Sequence, residues 1–94
     1  MKITVDNKAN VPNKYVRYIN WRLHKLKAKY KDVVEAKVSI KTTGRCSGLY
    51  NVHVNVQASN NQFFVSKAGT NLDEIVKLIP NRLQYSLAKG LSKN

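Results

Sequence analysis

Two runs of alternating residues, joined by a short glycine-flanked connection, constrain this chain more than any other feature. From Val33 to Thr43, the residues Val34, Ala36, Val38 and Ile40 fall on one side, and Glu35, Lys37, Ser39 and Lys41 on the other. From Tyr50 to Ala58, the set Tyr50, Val52, Val54, Val56 and Ala58 alternates with Asn51, His53, Asn55 and Gln57. A period of two sends successive side chains to opposite faces, so each run predicts a strand with one buried and one wet face. Thr43 to Gly48 reads as a hairpin connection between them. Ser59 to Asn61 is a turn, and Gln62 to Ala68 predicts a further strand with Phe63 and Val65 inward. A short strand also stands at the start, Lys2 to Asp6, with Ile3 and Val5 on one face.

The period changes to that of a helix in two places. From about Asn13 to Lys31, Tyr15, Ile19, Leu23, Leu26 and Tyr30 recur at steps of three and four, with Pro12 suited to a first turn. From Thr70 or Asn71 onward, Leu72, Ile75, Val76, Ile79, Leu83 and Leu87 do the same. Asn71 followed by Glu74 resembles a capping box, and Asp73 and Glu74 suit the positive end of the helix dipole. Pro80 inside this stripe predicts a bend or break near Val76 to Ile79, and Gly90 marks an expected end, with residues 91–94 frayed.

The order is therefore β-α-β-β-β-α, an α+β class. One apolar face per strand and one stripe per helix predict a two-layer sandwich, with both helices on one face of a four-stranded sheet. A crossover through the first helix is right-handed if the strands it joins are parallel. At 94 residues the chain is expected to form one domain, 1–94, with a modest core and no deep substrate pocket.

Charge narrows the function. Seventeen Lys and Arg face five Asp and Glu, for a net charge of +12. Charge of one sign on so short a chain repels itself, and an anionic partner relieves that repulsion. Seven of the cations lie between Lys14 and Lys31, with no acid among them. On a helical wheel Lys14, Arg17, Arg22, Lys25 and Lys29 lie away from the Ile19–Leu23–Leu26 stripe, with Tyr18 and Trp21 among them. Arg22 and Lys25 are expected to be exposed. Such a face suits a phosphate backbone, and aromatics set within it suit stacking on bases. The plainer reading is a solvated face of an amphipathic helix, but such a face normally interleaves acids for pairing; Tyr18 and Trp21 fit as well as edge-of-core aromatics. In the last helix Lys77, Arg82, Lys89 and Lys93 add charge, and if both helices cover one sheet face their outward sides are expected to merge into one basic surface.

No residue pattern points to catalysis or a cofactor. His24 and His53 lack acid or cysteine support for a metal. The five acids show no pairing of acid–base type, and Gly44 and Gly48 lie in no phosphate-loop motif. Cys46 is single, so no internal disulfide forms, which suits a reducing cytoplasm. No apolar run reaches the ~18 residues of a membrane span. The chain is expected to be a binding protein and not an enzyme, with no metal, cofactor or small-molecule substrate, and monomeric by itself.

The strand at Ile3-Thr4, the helix residues Tyr15, Tyr18-Ile19, Arg22-Leu23, Lys25-Leu26 and Tyr30, and the closing set Leu72, Val76, Ile79, Arg82-Leu83, Leu87 and Lys89 together resemble the short ribosome hibernation promoting factors. These are also called ribosome-associated inhibitors or ribosomal subunit interface proteins. The resemblance covers nearly the whole chain and is one of spacing and basic positions. It implies a fold similar to double-stranded-RNA-binding domains, and binding in the messenger and transfer RNA channel of the small ribosomal subunit. It also implies that Arg22 and Lys25 of the first helix, and Arg82, Lys89 and Lys93 of the last, face ribosomal RNA. The chain departs from the family's pattern at Asn71–Lys77, at Pro80, and at Tyr85, where a basic residue is common. Two alternatives remain from the residues: a general RNA- or DNA-binding module, and a protein that binds an acidic partner or an anionic membrane.

Overall fold

The computed structural model describes residues 2–42 and 48–91. The connection expected at Thr43 to Gly48 lies outside these up to Ser47, with Cys46 in it; so do Lys93 and the expected fraying of residues 92–94.

The elements follow the order expected: β1 (Lys2–Asn7), α1 (Asn13–Lys29), β2 (Val33–Thr42), β3 (Tyr50–Ala58), β4 (Asn61–Gly69) and α2 (Leu72–Leu91). They form one four-stranded sheet in the order β1-β2-β3-β4. β1 pairs with β2 in parallel, and the other two pairings are antiparallel.

The register turns alternation into rows. Val5, Val38, Val54 and Val65 stand beside one another across all four strands, and so do Ile3, Ala36, Val56 and Phe63. These rows join Ile19, Leu23 and Leu26 of α1 and Ile75, Ile79, Leu83 and Leu87 of α2 in one buried cluster. Both helices therefore cover the same sheet face. The opposite face carries rows such as Thr4–Lys37–Asn55–Phe64 and stays open.

Four local features differ from the pattern read in the sequence. Val34 is 52% exposed, and Val33 is buried in its place. The β2–β3 register shifts between Val33 and Glu35. A bulge inserts one residue and reverses the faces beyond it, so Val33 points inward together with Ala36. The second difference is at Pro80: of the bend or break expected there, the break does not occur, since α2 continues from Leu72 to Leu91. A proline inside a helix costs about 3 kcal/mol and removes the bond to the Val76 carbonyl. Ile79, Leu83 and Leu87, all buried, lie on both sides of it and hold the two halves to one sheet, and the proline ring itself is among the most buried side chains.

The third is Gly90, where α2 continues one residue further, to Leu91. A Cβ there would overlap the Phe63 ring, so glycine at this position lets α2 approach β4 closely. The last is α1, which stops at Lys29, short of Lys31. Tyr30 leaves the helical conformation while its N–H still donates to the Leu26 carbonyl at 2.7 Å. Lys27 Nζ then donates to the carbonyls of Lys31 and Val33, at 2.7 and 2.8 Å, and ties the helix end to β2.

At the other end of α1 the chain needs a clamp. Asn7 closes the turn after β1 by donating to the Val11 carbonyl and accepting from the Val11 N–H. Asn10, at φ 55°, makes the left-handed step, which asparagine tolerates better than most residues.

Candidate nucleic-acid interface

The α1 core stripe sets where its cations go. With Ile19, Leu23 and Leu26 buried, Lys14, Arg17, Lys25 and Lys29 are exposed and Arg22 is half-buried. From Lys14 to Lys29 this face spans roughly 22 Å at the helical rise. Among the described residues the ion pairs are Lys8–Asp6 at 3.8 Å and Lys37–Glu35 at 4.0 Å. Both lie away from α1, so no carboxylate in this set neutralises an α1 cation.

The helices run alongside each other in the same direction. Lys14, Tyr15 and Tyr18 share a cleft of about 180 Å³ with Asp73, Val76 and Lys77. Further along, Trp21, Arg22, Lys25, Leu26 and Lys29 line a cleft of about 390 Å³ with Gln84. Between the two, Arg22 Nη2 donates to Asn81 Oδ1 at 2.7 Å and Nη1 donates to the Tyr18 hydroxyl at 2.9 Å. Arg22 is thus not the freely exposed cation expected. It bridges the helices, and its partners hold the planar guanidinium in one orientation, leaving further donors for an anion.

The two aromatics of α1 divide in role. Tyr18 is half-buried, packed against the core, and its ring lies 6.1 Å from Trp21. Trp21 is 54% exposed, with Lys25 Nζ 4.5 Å from its ring centroid. A cation on an indole face is a favourable contact, and it places a charge beside an exposed ring. Tyr15 belongs to the seam: hydrogen bonding to the Asp73 carboxylate, with smaller contributions from burial and from the charge of Asp73, raises its hydroxyl pKa above the ordinary 10.0.

On α2, Arg82 and Lys89 are exposed but do not merge with the α1 surface. Arg82 lines a different cleft with Phe64, Tyr85 and Ser86 at the β4 edge, and Lys89 Nζ lies 5.4 Å from the Tyr85 ring centroid. The reason is helical spacing: Asp73, Lys77, Asn81 and Gln84 make the stripe that faces α1, while Arg82, Tyr85 and Lys89 make another. One basic surface drawn from both helices is therefore formed by Lys77 with α1, not by Arg82 and Lys89. Asn81 and Gln84 carry no charge to mark them in the sequence; their step of three, beside Lys77 and between apolar positions, is the signal that points to them.

No family model matches the chain, and no curated protein matches it. Solved structures do. A ribosomal subunit interface protein from Coxiella burnetii superposes with a TM-score of 0.83 at 14% identity, over 99% of this chain and 100% of that one. The N-terminal domain of Protein Y from Thermus thermophilus superposes with a TM-score of 0.72 at 17% identity, over 94% and 93% of the two chains. At such low identity what is shared is the course of the backbone, and over its full length this chain has the fold of those proteins.

Proposed function

We infer that the protein binds ribosomal RNA of the small subunit through the α1 face and its seam with α2, and so holds idle ribosomes silent in the cytoplasm. The observation that carries this reading is the acid-free row of Lys14, Arg17, Lys25 and Lys29, with Arg22 held in place by α2. Phosphates on a duplex backbone meet such a row and release their counterions. The whole-chain likeness to a ribosomal subunit interface protein supports the ribosome as the source of that RNA. No bond needs to be made or broken for the effect, because occupancy alone blocks the channel.

The reading is tested by co-sedimentation with purified small subunits across a salt series. Neutralising five phosphates predicts a slope of log affinity against log salt of about −4. Absence of co-sedimentation, or affinity indifferent to salt, overturns it. Because phosphate contacts carry no sequence information, a general duplex binder shares this electrostatic behaviour. Competition separates the two: bulk double-stranded RNA that displaces the protein from subunits at equal phosphate concentration favours the general module.

A further inference from the structure

The α2 cations that turn away from α1 meet a second group of rings. Tyr85 is 65% exposed and Phe64 62% exposed. Single exposed aromatics are ordinary on a surface, but two on one cleft form a patch. They line a shallow cleft of about 340 Å³ together with Arg82, Ser66 and Ser86. Lys89 lies over Tyr85. On its sheet side Phe64 is backed by His53, with ring centroids 5.4 Å apart and planes tilted by 36°. The five acids of the chain are Asp6, Asp32, Glu35, Asp73 and Glu74, so none lies in β3, in β4 or in α2 beyond its first turn.

The chemistry here differs from that of α1. There, cations dominate and the one exposed ring, Trp21, has Lys25 over it. Here, two exposed rings share one cleft with Arg82, and Lys89 lies over one of them, Tyr85, leaving Phe64 without a cation over it. A duplex keeps its base faces stacked inside, so it cannot use these rings. An apolar protein partner would bury Arg82 and Lys89 without a counter-charge, which is costly. An unpaired nucleotide uses both features, its base on a ring and its phosphate on a cation. We propose that the α2–β4 edge is a subsite for an unpaired nucleotide, stacked on Tyr85 and Phe64 with its phosphate held by Arg82 and Lys89. This rests on the RNA-binding reading above and adds to it a single-stranded element lying beyond the duplex met by α1.

Fluorescence anisotropy tests it with a labelled oligouridine and a blunt RNA duplex of the same length, at one fixed ionic strength. Tyr85→Ala is expected to weaken oligouridine binding by about fivefold or more, since a stacked base contributes that much. Duplex binding stays within about twofold and the salt slope is unchanged, because no charge is removed. Tyr85→Trp restores the oligouridine affinity. Arg82→Ala lowers the salt slope for oligouridine by about one. Unchanged oligouridine affinity in Tyr85→Ala, or equal losses on both RNAs, overturns the subsite. So does a loss of self-association in sedimentation of the same variant, which reassigns the patch to protein contact. Wild-type protein that binds duplex but not oligouridine overturns the subsite alone; binding to neither RNA overturns the RNA reading with it.

Discussion

The two helices cover the same sheet face, yet they are built for different work. α2 has a side-chain cap, since Asn71 Oδ1 accepts the Glu74 N–H at 3.2 Å, and it carries Asp73 and Glu74 in its first turn. Four of its side chains, Ile75, Ile79, Leu83 and Leu87, are at most 1% exposed. α1 begins after Pro12 with no side-chain cap and no acid in its first turn. It buries a narrower stripe, and six of its 17 residues are cations. A helix that must anchor the core is capped, dipole-matched and deeply buried; a helix that must meet a polyanion gives up those features for charge. The comparison points to stability resting mainly on α2 and, under the function proposed above, to duplex recognition on α1, with Arg22–Asn81 as the joint.

The largest effect that tests this division is in the core of α2. Leu83→Ala leaves a cavity between α2 and the sheet and is expected to cost about 2–5 kcal/mol. In thermal unfolding that corresponds to a fall of roughly 10 °C or more for a domain of this size. A loss under 1 kcal/mol in denaturant unfolding, a value expected of an exposed site, breaks the claim that α2 is the anchor.

The next effect lies on α1 and must appear in binding, not in folding. Lys25→Glu with Lys29→Glu reverses two exposed charges that have no carboxylate partner. The double variant is expected to lose at least about tenfold in RNA affinity at low salt, with the salt slope reduced by about two. Its melting temperature is expected to stay within a few degrees of wild type, since surface changes of this kind cost about 0.5 kcal/mol or less each. A large drop in melting temperature, or full retention of RNA affinity, contradicts the assignment of recognition to α1. Arg22 is unsuited to this test, because its removal also orphans Asn81 and Tyr18.

The same contrast explains what the sequence made legible. Element order, the inward sets of β3 and β4, and the α1 core stripe all follow from local periodicity, which each segment carries by itself. The misreadings occur where a distant segment decides. Val33 and Val34 are both apolar, so a period of two cannot say which faces inward, and only the bulge against β3 selects Val33. Pro80 reads as a breaker because its cost is local, while the burial that offsets it comes from the sheet. At Gly90 the close approach to Phe63 is hidden in the sequence, because Phe63 is far away in the chain. For the site, charge was visible but facing was not. The partner of Arg22 lies 59 residues further on, and Arg82 and Lys89 share a charge with α1 without sharing its surface. The exposed Phe64 sits in an apolar-looking strand, where its outward direction depends on the register set by β3.

The smallest effect sharpens the comparison at the seam, where the two helices touch. Tyr15 of α1 has its hydroxyl pKa raised above 10.0, first by hydrogen bonding to Asp73 of α2. A group whose pKa is higher in the folded state contributes stability that is fully present below its unfolded value and lost as pH rises through its folded value. The Tyr15–Asp73 contact therefore supports the fold at neutral pH and fades only in the alkaline range above pH 10. Lysines titrate in that range as well, so the informative quantity is the difference between wild type and Tyr15→Phe. That difference in denaturant midpoint is expected to be small, constant from pH 6 to 9, and to shrink toward zero at higher pH. By tyrosinate absorbance, Asp73→Asn is expected to let Tyr15 ionise at a lower pH than it does in wild type. A difference that grows with alkaline pH reverses the sign of the contact, and would mean that Asp73 does not join the two helices.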